Sequence, residues 1–263
     1  MRAYLALFKT RFAVLFQYRA AALAGLSTQV FWGIVKVMIL TAFYAQSASP
    51  QPITLLQAVT FVWLGQALLQ LLPWNIDKEI EAQVRNGNVA YELIRPLDLY
   101  WHWFFRAMAM RLVPTLLRSI PLVITARLFF DLPAPVSWLA AAAFGCSLVF
   151  SVLLSSAITA LVIMSLFWTI SGEGLLRLLP HVVMLLSGMA VPLPLFPDWM
   201  QPFLDIQPFR CIIDIPCRLY MGIIPAEEAF FYIAFQFLWV LFFMAAGKVL
   251  MKKAVDQFVV QGG

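Results

Sequence analysis

The sequence predicts an all-α integral membrane protein with six transmembrane helices, and three observations carry that prediction. Six apolar segments recur along the chain: Ala21–Ala45, Thr54–Pro73, Leu112–Phe130, Val136–Ile170, Leu178–Phe196 and Phe230–Val249. An apolar run of about 20 residues crosses the hydrocarbon core as a helix, because lipid offers no partner to free backbone groups. Hydrophobic residues make up 63% of the chain and charged residues only 12%, well below the roughly one quarter charged in soluble domains. The basic residues flank the apolar runs rather than clustering with aromatics, which argues against a nucleic-acid face despite a net charge of +5. One membrane domain over residues 1–263, with no soluble domain and no cleavable signal, is the expectation.

Orientation follows from the positive-inside rule. With six spans, one side holds Arg2, Lys9, Arg11, Arg19, Lys78, Arg85, Arg95, Arg106, Arg177, Lys248, Lys252 and Lys253. The other holds Arg127, Arg210 and Arg218. Both termini are therefore expected in the cytoplasm. Val136–Ile170 is long enough for two short spans, but two would move the basic C-terminal end outside, so one is preferred.

The N-terminal stretch has helical periodicity, with Tyr4, Phe8 and Leu15 opposite Arg2, Lys9 and Gln17. It reads either as a helix in the cytoplasmic interface or as a plain basic flank. Lys36 lies within the first span, roughly 13 Å from its outer end at 1.5 Å per residue. A charge there must face a bundle, a cavity or a partner. Two readings stand: a site for an acidic substrate group, or a structural hydrogen bond to a neighbouring helix.

Residues 75–103, NIDKEIEAQVRNGNVAYELIRPLDLYWHW, form the one sizeable polar insertion. Asn75 is the expected N-cap, with Asp77 and Glu79 in the positive first turn. Ile76, Ile80 and Val84 recur every four residues as one apolar stripe, and Glu81 with Arg85 makes an i,i+4 pair opposite it. Gly87 ends the helix, and a second short turn, Val89–Ile94, stops before Arg95 and Pro96. Such an amphipathic element either meets a soluble partner or rests on lipid.

In the third span Arg111 and Arg118 are seven apart and share a face. Arg118 is expected to pair with Glu173, to contact substrate, or to reach lipid phosphates. Ser151, Ser155 and Ser156 in the fourth span mean close helix packing. His102, between Trp101 and Trp103, belongs to an interfacial aromatic belt, and neither it nor His181 has acids or cysteines at ligand spacing, so no metal is expected.

Between the fifth and sixth spans, Pro192, Pro194 and Pro197 are followed by Pro202, Pro208 and Pro216. Proline removes a backbone donor and excludes continuous helix, yet the stretch stays apolar. Broken apolar helices at membrane depth need cover from protein or a cavity. A pair of short re-entrant helices at the outer mouth is expected, as a gate or as a plug, with Gly188, the three clustered prolines, Trp199 and Phe209 as its key residues. Cys211 and Cys217 are six apart, and a free pair is preferred over a disulfide. Asp198, Asp205 and Asp214 show no evident pairing.

Two runs carry a family resemblance. GNVAYELIRPLDLYWHWFFRA, residues 87–107, resembles the cytoplasmic loop of ABC transporter permeases of the type-2 exporter class. SGMAVPLPLFPDWMQPFLDIQPF, residues 187–209, resembles their outer re-entrant segment. The resemblance covers nearly the whole chain and looks closest to a subgroup in which two different permeases accompany one kind of ATPase. It implies a half-sized permease domain with an interfacial helix (1–20), a coupling segment (74–100) and a re-entrant segment (192–225). It also implies pairing with a second copy or a sister permease. Two ATPase subunits, carrying ATP and Mg, would dock on Asn75–Asn86 and the following turn. Ile76, Ile80, Glu81, Val84, Arg85, Gly87, Tyr91, Arg95 and Pro96 would be the coupling residues.

The chain itself has no phosphate-cradling loop. Gly247-Lys248 is followed by Val249 and lacks the preceding glycine. Aromatics at 15% of the chain and few buried charges favour an amphipathic or lipid-like substrate, and the resemblance implies export of such a drug-like or lipid-linked molecule out of the cytoplasm or inner leaflet across the inner membrane. The alternatives are a membrane-embedded lipid-modifying enzyme, which would need convergent acids or metal ligands, and a non-transporting scaffold.

Overall fold

A computed structural model describes residues 2–17, 19–94, 97–168 and 173–256. Arg95 and Pro96 lie outside these residues, as do the side chains of Arg2, Arg19 and Glu173. Eleven α-helices follow in order among the described residues: α1 (Arg2–Gln17), α2 (Arg19–Gln46), α3 (Leu55–Leu68), α4 (Lys78–Arg85), α5 (Val89–Leu93) and α6 (Leu99–Phe129). Then come α7 (Trp138–Met164), α8 (Glu173–Leu186), α9 (Gln201–Ile206), α10 (Asp214–Tyr220) and α11 (Ala229–Asp256). The described residues contain no strand.

Four helical stretches are long and apolar enough to cross a membrane: Ala24–Gln46, Leu99–Phe129, Trp138–Phe167 and Ala226–Asp256. Two shorter apolar helices, Leu55–Leu71 and Gly174–Leu186, correspond to the expected second and fifth spans. The fifth is corrected in its bounds. Leu178–Phe196 is not one helix, because α8 stops at Leu186 and the chain turns at Gly188, whose φ of +87° only glycine adopts without strain. Trp138–Met164 is one unbroken helix begun by the Ser137 side chain, which accepts from the Ala140 N–H.

Two clusters of buried side chains mark the ends of the bundle. At the end rich in basic residues, Tyr100 and Trp103 of α6, Ile163 and Met164 of α7 and Met251 of α11 pack with Ile80 of α4 and Val89 of α5. At the opposite end, α7 and α11 enclose Cys211, Ile212, Ile213 and Ile215 from the proline-rich segment. The interior of α6 holds Pro114 and Pro121, each of which costs a helical hydrogen bond. Thr115 Oγ1 donates to the Arg111 carbonyl and Thr125 Oγ1 to the Pro121 carbonyl, four residues back in each case, so both hydroxyls are satisfied within the helix.

Candidate functional site

The polar insertion is held to the bundle by charge. Asp77, not Asn75, is the N-cap of α4, its Oδ1 accepting from the Glu79 N–H at 3.0 Å. The helix starts later than the sequence predicts because the other oxygen, Oδ2, is taken by Arg106 of α6. Nε and Nη2 of that arginine donate to it at 2.8 and 2.6 Å. The same Nη2 donates to Glu79 Oε2 at 2.6 Å, and Arg11 of α1 pairs with that carboxylate as well. Hydrogen bonds from Arg11 first, then Arg106, hold the Glu79 carboxyl below the usual carboxylate range.

Arg111 continues the fastening deeper in α6. Its Nη2 donates to the Asn75 carbonyl at 2.5 Å and to Thr159 Oγ1 of α7 at 3.0 Å. This arginine therefore joins the entry of the insertion to two long helices. At the other end of α1, Tyr4 stacks on Phe105 with ring centroids 5.8 Å apart, and its hydroxyl accepts from the Asp98 N–H at 2.8 Å. The N-terminal helix thus packs along α6. Lys248 of α11 sits 5.0 Å over the Trp101 ring at the same end.

The apolar stripe of α4 turns inward. Ile80 is 1% exposed, and Ile76 and Val84 pack partly buried beside it. The outward side carries Lys78, Ala82 and Arg85, with Arg85 Nη2 donating to Glu81 Oε1 at 2.9 Å. Gly87, at φ +72°, makes the turn into α5. There Val89 is buried, and Glu92 lies 3.4 Å from His102 Nδ1, both side chains buried. His102 therefore has an acidic neighbour that its sequence position conceals. Beyond this anchor Tyr91 (70% exposed) and Ile94 (80% exposed) stand outward. Ile80, by contrast, holds the element against the bundle.

At the opposite end the proline-rich segment is stitched by amides. Gln201 Nε2 donates to the Phe196 carbonyl at 2.8 Å, and Gln207 Nε2 to the Leu186 carbonyl at 2.8 Å. Gln207 Oε1 accepts from the Phe209 N–H at 2.7 Å. Two long helices reach the same backbone atom: Ser151 Oγ of α7 and Gln236 Nε2 of α11 each donate to the Cys211 carbonyl at 2.8 Å. Ser155 Oγ binds the Leu71 carbonyl in the same manner. These serines satisfy carbonyls outside their own helix, which helix-packing logic alone does not reveal.

Asp205 and Asp214 of this segment are paired, contrary to the sequence reading. Arg210 donates to Asp205 Oδ1 at 2.5 Å and to Asp214 Oδ2 at 3.3 Å, and Arg218 Nη1 lies 3.5 Å from the latter. Burial pushes the Asp214 carboxyl up, while Arg218 and Arg210 pull it down. Cys211 and Cys217 are free and buried. Gly188, Pro192 and Leu193 are buried, Pro194 and Phe209 half-buried and Pro197 exposed. Trp199 stands out at 79% exposure.

Of the three intramembrane cations, two have backbone acceptors. Lys36 Nζ donates to the Met189 carbonyl at 2.5 Å, directly after the Gly188 turn. Arg118 packs its guanidinium against Gly25 of α2, where an added Cβ would fall 2.6 Å from Cζ. The Glu173 side chain expected to meet Arg118 is outside the described residues.

The sequence placed Asp77, Glu79 and Arg106 near one another without joining them. Two acids ahead of a short helix and an arginine amid Trp103, Phe104 and Phe105 were the available signal, since neither charge is stable unpaired beside apolar neighbours.

No curated protein matches the chain. Residues 30–262 match the family described as ABC-2 family transporter protein. The match takes in five of the six apolar helices whole and the first from residue 30, together with the Asp77–Arg106 junction and the proline-broken segment. The chain belongs to the ABC-2 transporter family, as the membrane-embedded permease component of an ABC transporter.

Proposed function

We propose that this permease is half of an ATP-driven exporter, with α4 and α5 as the element through which ATPase subunits move the bundle. The observation that carries the proposal is Arg106. It binds Asp77 and Glu79 of α4 while standing on α6, so a push on α4 is delivered to a long helix and, through Glu79 and Arg11, to α1.

Two ATPase subunits hold ATP and Mg, none of which this chain binds. They touch Tyr91, Ile94 and the outward side of α4 with Glu81 and Arg85. Ile76, Ile80, Val84 and Gly87 shape and hold the element; Arg95 and Pro96, outside the described residues, are assigned to coupling by the family resemblance alone. A second copy or a sister permease completes the pathway. Both termini are cytoplasmic, in the inner membrane, in line with the basic residues gathered at the α4 end. An amphipathic, drug-like or lipid-linked substrate leaves past the segment around Gly188–Phe209, which acts as the outer gate. The pairing of Asp205 and Asp214 with arginines speaks against these acids as the centre of a membrane enzyme.

Purification from native membranes in mild detergent, followed by mass spectrometry of what accompanies the chain, tests this reading. A stoichiometric soluble ATPase is expected, and a second permease beside it identifies a heterodimer. A folded chain that comes alone would overturn the coupling proposal and favour the scaffold.

A further inference from the structure

A cavity of about 320 Å³ lies between α2, α3 and the turn after α8, within the size range of small-molecule sites. Its walls are apolar, with Trp32, Ile39, Phe61 and Val62 prominent, and Lys36 is its only charged lining residue among the described residues. An ammonium has three N–H donors. That of Lys36 has one acceptor among the described residues, the neutral Met189 carbonyl at 2.5 Å. A carbonyl satisfies a hydrogen bond but does not balance a charge, and no carboxylate lines the cavity. Both the unspent donors and the uncompensated charge therefore call for an anion arriving with an apolar body.

We propose that this cavity binds an acidic amphiphile, a single carboxylate or phosphate head on an apolar chain. The head rests on Lys36 and the chain lies along Trp32, Ile39 and Phe61. Because Lys36 also fastens the carbonyl after the Gly188 turn, an occupant's head and the Met189 carbonyl draw on the same ammonium, which links occupancy to the proline-rich segment. Whether the occupant is the cargo rests on the export reading. Binding does not, and it is measured without any ATPase.

The test uses the full chain in phosphatidylcholine nanodiscs, titrated with dibromostearate, whose bromines quench nearby tryptophan fluorescence. Wild type shows saturable quenching by the acid that the methyl ester does not give, and Trp32→Phe removes that acid-specific component, the other eight tryptophans being quenched alike by acid and ester. Lys36→Met weakens the acid by about tenfold or more, while Lys36→Arg stays within about threefold, as a lost charge-assisted hydrogen bond requires. Should Lys36→Met fail to fold, the wild-type comparison of acid with ester decides alone. Nanodiscs carrying dibrominated phosphatidylglycerol or phosphatidylcholine separate the sources. Stronger Trp32 quenching by the former assigns the site to an acidic bilayer lipid, and equal quenching with stearate binding intact assigns it to a free amphiphile. Equal affinity for acid and ester, undiminished affinity in folded Lys36→Met, or acid-specific saturable quenching that survives Trp32→Phe would each overturn the proposal.

Discussion

Arg106 delivers two nitrogens, Nε at 2.8 Å and Nη2 at 2.6 Å, to the single oxygen Oδ2 of Asp77, while the other oxygen of that carboxylate caps α4. One side chain therefore both starts the short helix and fastens it to α6. Both partners are buried, so α4 cannot tilt away from α6 without exposing two unpaired charges to an apolar setting.

Breaking that pair should be costly. Arg106→Gln and Asp77→Asn are each expected to destabilise the protein by about 3–5 kcal/mol, the usual loss when one member of a buried pair is removed. The double variant should lose less than the sum, because neither charge is then left alone. Unfolding in detergent across the double-mutant cycle measures this, and strictly additive losses would dissolve the link.

Docking of α1 should depend on pH through Glu79. Its carboxyl is held below the ordinary value of 4.5 by Arg11 and Arg106. The stabilisation is full above that value and is lost as the pH falls through the lower folded-state value. Glu79 is 62% exposed, so solvent screens the effect and α1 should loosen while the bundle persists. Protection of Arg2–Gln17 against hydrogen exchange, corrected for the intrinsic slowing of exchange towards acid pH, should drop in wild type below 4.5 and show no such step in Glu79→Gln.

The two faces of the insertion should respond differently to charge. Ile80→Asp places a carboxylate among Tyr100, Trp103 and Met164 and is expected to abolish folding or lower the melting temperature severely. Tyr91→Asp and Ile94→Asp alter exposed positions and should leave the melting temperature within a few degrees, since surface changes usually stay within about 0.5 kcal/mol. They should nevertheless weaken ATPase association and substrate-stimulated hydrolysis. Stability and hydrolysis measured on the same preparations separate the two classes.

How much of this was legible depended on how far each signal travels along the chain. The long apolar runs around Ser151 and Val240 reported their helices directly, because lipid demands an uninterrupted ladder, whereas the run expected to start at Leu112 belongs to a helix that already begins at Leu99. Boundaries were read less well. Asn75 looks as good a cap as Asp77 until Arg106, 29 residues away, fixes which one is used. The run Leu178–Phe196 hides the Gly188 turn because its residues stay apolar on both sides of it. Gln207, Gln236 and Ser151 carry no local pattern, since each serves a carbonyl that a distant proline or turn leaves open. The Asp214 pairings with Arg210 and Arg218 follow ordinary four-residue spacing. They were missed because the prolines excluded a continuous helix, and the short helices expected in its place were given no bounds that put Arg210, Asp214 and Arg218 in one helical register.

Gly188 offers a local test of the proline-rich segment. Its φ of +87° disfavours any side chain, and an added Cβ would lie 3.0 Å from Phe61 Cζ. Gly188→Ala should cost at least about 1 kcal/mol, because strain at positive φ adds to the displacement of Phe61. A lowered melting temperature with the helical content intact is the expected result. An unchanged one would mean the turn does not constrain the fold.

Cross-linking to the ATPase tests the central claim most directly. In a Cys146→Ser background, Tyr91→Cys or Ile94→Cys is paired with surface cysteines introduced on the co-purifying ATPase, and disulfide formation is followed with and without ATP. The coupling role of α5 predicts rapid cross-links at both positions whose yield changes with nucleotide, and none from Ile80→Cys. Cross-links absent at positions 91 and 94 in an intact, ATPase-bound complex would contradict it.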